Sequence, residues 1–139
     1  MIVLVDTCVF SLALRRSRKD LNPQQLQTLK LLDEAIDEKR VRLLGVVRQE
    51  LLSGIRHREQ FDRVAAILRG FEDVLLDIED YEEAAIVDNA CRSAGLSGST
   101  TDFLICAVAA RRNWAVFTVD QDFQRYQKHV HFSLITAIP

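Results

Sequence analysis

The sequence has few cysteines, the residues that build disulfide frameworks and many zinc sites. Its 139 residues include only Cys8, Cys91 and Cys106, an odd number without the paired spacing of either kind of site. We therefore expect three reduced, packed thiols. There is no linker rich in proline, glycine or serine, and no repeat or low-complexity tract. The chain is therefore predicted to form one domain over residues 1–139.

Long apolar runs are also lacking. No stretch approaches the roughly 18 apolar residues that a membrane helix requires. Asp6 interrupts the opening apolar run at residues 2–5, so that run does not have the form of a secretion signal. These absences predict a protein that has no membrane partner and stays in the cytoplasm.

Charge of one sign is not in large excess, because the net charge is −2. This near balance argues against a protein that holds nucleic acid mainly by bulk electrostatics. Basic residues gather at 15–19, 56–58 and 111–112, whereas acidic residues concentrate at 72–83. The pattern allows local phosphate contacts on one face, but solvated helix surfaces would produce it as well.

Short apolar runs alternate with helical patterns along the chain. Strands are predicted at residues 2–5, 41–44, 74–76, 114–119 and 131–135. Between them, helical patterns begin with the Asn22-Pro23 cap and include an apolar stripe formed by Val47, Leu51 and Ile55. This alternation predicts an α/β fold with a mostly parallel sheet of about five strands and right-handed crossovers. Ligands of such sheets bind at the carboxyl ends of the strands.

Four acids occur where that edge is predicted to form. Asp6 follows the first strand and Asp120 the fourth, Glu50 lies about one turn into the helix after the second strand, and Asp102 opens the helix before the fourth. Each acid alone has an ordinary explanation as a turn residue, a helix cap or a surface residue. Carboxylates that meet in space repel one another unless cations neutralise them. Together, the four acids indicate a metal site.

The ligand types indicate which metal it would be. Oxygen ligands without a matching histidine or cysteine suit Mg²⁺ or Mn²⁺. Such ions activate water for phosphoryl chemistry, so no protein nucleophile is required. No Ser-His-Asp or Cys-His arrangement is apparent, because His57, His129 and His131 lie in basic or terminal segments.

Four segments resemble the PIN-domain family, specifically its VapC-type toxins. They are V-L-V-D-T at residues 3–7, R-Q-E-L-L-S-G at 48–54, S-T-T-D-F-L-I-C-A-V-A at 99–109 and T-V-D-Q-D-F at 118–123. The resemblance implies a three-layer α/β/α fold and a Mg²⁺- or Mn²⁺-dependent ribonuclease, usually a homodimer, that a cognate antitoxin holds inactive. Departures from the family pattern are Leu44-Gly45 after the second strand, where relatives often carry serine or threonine, and Cys106, where a small residue is usual.

The resemblance also assigns residues. Asp6, Glu50, Asp102 and Asp120 match the four acidic positions of the family, and Asp122 is a further metal ligand to consider. Thr7 and Thr118 are expected to bring hydroxyls near the metal or the phosphate. The basic stretch after the first strand, Arg15, Arg16, Arg18 and Lys19, is predicted to contact the RNA backbone.

Two alternatives stay open at this point. A receiver-like phosphoacceptor domain also sets acids at strand ends, but Asp6 lacks the acidic neighbour that such a domain requires. A PIN nuclease that processes RNA or cuts structured DNA without an antitoxin would have the same acidic positions.

Overall fold

One all-parallel sheet organises the protein. The computed structural model describes residues 1–136, and within them five strands pair side by side in the order β3-β2-β1-β4-β5. The strands are β1 (Val3–Val5), β2 (Val41–Leu43), β3 (Glu72–Asp73), β4 (Ala115–Phe117) and β5 (Ser133–Ile135). The predicted mostly parallel sheet of about five strands is therefore confirmed.

Helices cover both faces of this sheet. They are α1 (Thr7–Arg15), α2 (Pro23–Asp37), α3 (Gly45–Leu52), α4 (Arg58–Leu68), α5 (Ile78–Ser93), α6 (Thr100–Arg112) and α7 (Asp122–Tyr126). Right-handed crossovers put α1 to α4 on one face, because β1, β2 and β3 progress toward one edge, and α5 to α7 on the other. The three-layer α/β/α fold is thus confirmed. None of these helices within residues 1–136 is long and apolar enough to cross a membrane.

The reversal of strand order creates a crevice. Chain progression turns from one edge of the sheet toward the other between β1 and β4, which are neighbours in the sheet. In open α/β sheets, ligands bind outside the carboxyl ends of the strands at such a switch point. The residues that follow β1 and β4 therefore occupy the position where a site is expected.

The core holds this edge rigidly. All six residues of β1 and β4 are buried, as a strand covered on both faces requires. Helix α6 buries eight of its residues, among them Cys106, and Cys91 of α5 is buried too. These two thiols are packed and unpaired, as predicted.

Two predictions of local structure were wrong. The third strand is Glu72–Asp73 and not residues 74–76, because its partner strand β2 ends at Leu43, which pairs with Asp73. The backbone N–H of Val74 still donates to the carbonyl of Leu43 at 3.0 Å, but the chain then leaves the sheet, and Leu75 is 88% exposed.

The second error concerns the end of α3. This helix ends at Leu52, so Ile55 does not continue its stripe. Gly54 adopts a φ of 88°, a left-handed conformation that side chains disfavour and that stops the helix.

Candidate active site

Asp6 and Thr118 face each other across the switch point. Asp6 follows β1, and its backbone N–H donates to the carbonyl of Phe117, the last residue of β4, at 2.9 Å. The Thr118 hydroxyl donates to Asp6 Oδ2 at 2.9 Å. Both side chains are almost fully buried, with Asp6 6% exposed and Thr118 2%. The strand pairing itself therefore joins the ends of β1 and β4 into one site.

Asp6 is buried, and within residues 1–136 it has no positively charged partner. Its Oδ1 accepts from the backbone N–H of Thr7 at 2.8 Å, and its Oδ2 also accepts from the Cys8 thiol at 3.3 Å. Burial raises the pKa of Asp6, the hydrogen bonds from Thr118, Cys8 and Thr7 oppose that rise, and the negative charge of Asp102 adds to it. The ionised carboxylate is thus destabilised unless a cation approaches.

Two threonine hydroxyls hold Glu50. Thr7 donates to Glu50 Oε2 at 2.8 Å and Thr101 donates to Glu50 Oε1 at 2.6 Å. Thr7 follows Asp6, and Thr101 precedes Asp102. The carboxylate of α3 is therefore held between the first residues of α1 and α6, and both of its oxygens are oriented.

Tyr126 orients Asp102. The phenol donates to Asp102 Oδ2 at 2.9 Å, while Ser99 caps α6 by accepting from the backbone N–H of Asp102 at 3.0 Å. Burial raises the pKa of Asp102, hydrogen bonds from Tyr126 and Ser99 oppose this, and the charge of Asp120 raises it further. Repulsion therefore links Asp102 both to Asp120 and to Asp6.

Asp120 and Asp122 have different surroundings. The backbone N–H of Asp120 donates to the Thr118 hydroxyl at 3.0 Å, and Asp120 Oδ1 accepts from the backbone N–H of Asp122 at 2.9 Å. Asp122 already forms an ion pair with Arg125 at 2.8 Å. Asp120 is thus connected to Asp6 through one threonine, whereas Asp122 has a cationic partner of its own.

Asp80 differs from the acids of the site because it has positively charged partners. Asp80 is fully buried, but Arg111 and Arg112 bind it and lower its pKa. Among the ion pairs within residues 1–136, none involves Asp6, Glu50, Asp102 or Asp120. A divalent cation would supply the missing positive charge, and the all-oxygen carboxylate set fits Mg²⁺ or Mn²⁺.

The acids do not form a ready-made ligand cage. Within the described part of the chain, no three acidic, histidine or cysteine side chains lie at the spacing of a metal-ligand set. Hydroxyl groups of Thr7, Thr101, Thr118 and Tyr126 contact the carboxylates instead. The metal-binding roles of the acids consequently stay predictions.

Comparison with known proteins identifies the family. The profile of the family described as PIN domain matches residues 3–129. This chain belongs to the PIN-domain family. A comparison with curated protein sequences gave no match.

Solved structures share the fold of this PIN domain. One of them is VapBC2 from Rickettsia felis, bound to a DNA fragment from its promoter, with 18% sequence identity to this chain. The match covers 97% of this chain and 98% of that chain, with a TM-score of 0.75. FitAcB from Neisseria gonorrhoeae is also 18% identical, covers 98% of both chains and has a TM-score of 0.73. VapBC-5 from Mycobacterium tuberculosis, a member of the VapBC family of toxin-antitoxin systems, is 21% identical to this chain. The match covers 98% of this chain and 99% of that chain, with a TM-score of 0.68.

The sheet of this PIN domain also argues against the receiver alternative. Receiver domains have the strand order 2-1-3-4-5, whereas this sheet has the order β3-β2-β1-β4-β5. The switch point therefore lies between the first and fourth strands, and the receiver arrangement is not formed.

The predicted basic contacts lie at the far end of α1. This helix carries Arg15 about 12 Å along its axis from Thr7. The guanidinium of Arg15 donates to the carbonyl of Leu51, the residue after Glu50, at 2.8 Å. Arg16 ends the helix and is exposed, and Arg18 pairs with Asp33. Among these basic residues, Arg15 is therefore the one that contacts the residue next to Glu50.

Sequence reasoning missed three side chains of the site. Thr101 lies directly before Asp102 in the capping sequence, so its position could have suggested a role. Tyr126 gives no sequence signal. Cys8 was expected to be only a packed thiol, yet it donates to Asp6, and burial together with the charge of Asp6 raises the pKa of Cys8 to about 11.

Proposed function

We propose that this PIN domain is a VapC-type toxin, a Mg²⁺- or Mn²⁺-dependent endoribonuclease of the cytoplasm that a cognate antitoxin holds inactive. Membership of the PIN family supports a nuclease, and the toxin-antitoxin systems named among the structures of the same fold support the antitoxin. The observation that carries the proposal is the buried Asp6 at the switch point, which has no lysine, arginine or histidine partner within residues 1–136 and is linked by threonines to Glu50 and Asp120.

The acids Asp6, Glu50, Asp102 and Asp120 would hold the metal, with Asp122 as a further ligand. When bound, the metal supplies an activated water and positive charge at the scissile phosphate.

Hydroxyl groups of the protein keep the carboxylates in position. Thr7 and Thr101 orient Glu50, Thr118 orients Asp6, and Tyr126 orients Asp102. Partners of this kind around metal ligands contribute about 10- to 100-fold to metal affinity or activity. Thr7 and Thr118 thereby act as positioning residues, and we assign contacts with the RNA backbone to Arg15 and Arg16.

We further propose that the protein is a homodimer through the exposed apolar face at the start of α5. Leu75, Ile78, Tyr81 and Ile86 are 57 to 88% exposed. Ile78 lies three residues from Tyr81 and eight from Ile86, spacings that place each of them near the helix face of Ile78. Contiguous exposed apolar residues often mark a surface that another chain covers, and Ile78→Lys should convert a dimer to a monomer in light scattering.

The direct test of function is cleavage of RNA. Total cellular RNA incubated with the protein should be cut with Mg²⁺ or Mn²⁺ and left intact with EDTA. Asp6→Asn should fold and lose both cleavage and toxicity to the host cell, whereas Asp62→Asn, which alters a surface acid paired with Arg58, should retain them. Activity in Asp6→Asn, or cleavage in EDTA, would reject the proposal.

The antitoxin is tested separately. Growth arrest by the expressed protein, relieved by the product of an adjacent small gene, is the expected outcome. Cleavage without growth arrest would instead support a PIN nuclease that processes RNA and has no antitoxin.

A further inference from the structure

A small cavity adjoins the acidic site. It has a volume of about 220 Å³ and lies between the first halves of α1 and α2. Cys8 and Leu12 of α1 form one wall, Gln24, Gln25 and Thr28 of α2 form the opposite wall, and Val119 closes one end. Sites for drug-sized ligands occupy about 300–1,000 Å³, so this cavity suits a smaller group.

Two of the lining residues connect the cavity to the acidic edge. The Cys8 thiol lies 3.3 Å from Asp6 Oδ2, and its sulfur also accepts from the backbone N–H of Val119 at 3.5 Å. Val119 stands between Thr118 and Asp120, which are hydrogen-bonded to each other. A group in the cavity is therefore separated from the carboxylates by a single layer of side chains.

The polar side chains that line the cavity are uncharged, and three of them, Asn22, Gln24 and Gln25, are amides. In the capping box of α2, Asn22 Oδ1 accepts from the backbone N–H of Gln25, and Gln25 Oε1 accepts from that of Asn22. Both amide oxygens are thus used, and the amide N–H groups lie outside the box. Gln24 is exposed, and its side-chain amide makes no hydrogen bond within residues 1–136. The cavity consequently offers donors and an acceptor without any charged side chain.

A planar, neutral group with hydrogen-bonding edges matches these walls. Asparagine and glutamine amides pair with the edges of bases in two hydrogen bonds, and apolar walls such as Leu12 and Val119 contact the face of a ring. Sequence in RNA is read mostly from unpaired bases that leave the stack. A divalent metal held by the carboxylates next to the cavity would supply the positive charge that binds the phosphodiester of the same strand.

We propose that this cavity receives one unpaired RNA base beside the scissile phosphate and that Gln24 reads its edge. The proposal rests on the ribonuclease function proposed above. Gln24 is then a specificity-determining residue, and the nuclease prefers certain bases at one position beside the cut.

Mapping of cut sites provides the first measurement. New RNA ends made by the wild-type protein should show a base preference at a position adjoining the cleaved bond. Gln24→Ala should relax that preference while cleavage continues. The matched control is Gln27→Ala, an exposed glutamine on the same helix that does not line the cavity, and it should leave the preference unchanged.

Binding without cleavage provides the second measurement. In EDTA, fluorescence anisotropy compares a short oligonucleotide containing the mapped site with three versions that carry another base at the preferred position. The wild type should discriminate between them by about 5- to 150-fold, the range of a good two-bond contact, and Gln24→Ala should lose most of this ratio. Gln25→Glu keeps an acceptor for the capping box but lacks the amide donor, so the ratio should change without loss of the helix.

The outcomes separate the two proposals. If the wild type cuts RNA without preference at either adjoining position, or if Gln24→Ala keeps the preference, the base site is overturned and the ribonuclease stands. If Gln24→Ala weakens binding of the antitoxin and leaves base preference intact, the cavity is a protein-binding site and the proposal is wrong. If the wild type cuts no RNA, the function itself fails and the base site fails with it.

Discussion

Removal of the Asp80 charge should destabilise the protein strongly. Asp80 is fully buried and accepts from Arg111 at 2.6 Å and from Arg112 at 2.6 and 2.9 Å. Breaking a buried ion pair costs about 3–5 kcal/mol because the remaining partner is left uncompensated. Here the side chains of Arg111 and Arg112 are 31 and 22% exposed, so water can solvate the two guanidinium groups and reduce the cost. For Asp80→Asn we therefore expect about 2–4 kcal/mol less stability at pH 7.

The loss should depend on pH. The hydrogen bond from Arg112 is the main cause of the lowered pKa of Asp80. The backbone N–H of Asp77 and the side chain of Arg111 also lower this pKa. A carboxyl group whose folded pKa lies below its unfolded value, about 3.9, stabilises the native state above that pH. The contribution is lost as the pH falls through the folded pKa. The difference between wild type and Asp80→Asn should therefore shrink below about pH 4.

Urea unfolding at pH 7 and at pH 3 measures both effects. Asp88→Asn is the matched control, because Asp88 lies on the same helix and pairs with Arg92, which is 73% exposed. Such pairs contribute about 0.3–0.5 kcal/mol. If Asp80→Asn were no more harmful than the control at pH 7, the assignment of Asp80 as the ionic link between α5 and α6 would be wrong.

Three further predictions concern the acidic edge. Gly98→Ala would drive a methyl group into the hydroxyl of Tyr126 and should cost about 1–3 kcal/mol in urea unfolding, whereas Gly45→Ala meets open space and should not be destabilising. Thr101→Val removes one of the two hydroxyl groups that donate to the Glu50 carboxylate and should weaken Mn²⁺ binding about 10-fold or more in calorimetry. Unchanged affinity would contradict the positioning role of Thr101. Asp6→Asn should melt a few degrees higher than wild type in EDTA at pH 7, because the raised pKa of Asp6 means that its ionisation opposes folding as the pH rises through that pKa; a lower melting temperature would refute this reasoning.

The sequence predicted the alternation of strands and helices in a mostly parallel sheet because that alternation depends on local patterns. The β-branched run that ends at Asp6 and the cap at Asn22 both indicate elements that the structure contains. The strand after α4 could not be predicted correctly, because an apolar run normally indicates the strand, whereas the pairing with β2, which ends at Leu43, limits it to Glu72–Asp73.

Contacts between distant residues explain what the sequence left out. The hydroxyls that orient the acids come from residues up to 112 positions away in the chain, as for Thr118 and Asp6. Tyr126 reaches Asp102 only because α7 packs beside the start of α6. Side-chain pairs of this kind depend on tertiary packing, so periodicity and composition do not reveal them.

Titration calorimetry of Mn²⁺ into the metal-free protein tests the central claim most directly. Wild type and Asp62→Asn should bind the ion equally, and Asp6→Asn should lose that binding, because the buried carboxylate at the switch point has no cationic partner within residues 1–136. Equal binding by Asp6→Asn, or no binding by the wild type, would contradict the account.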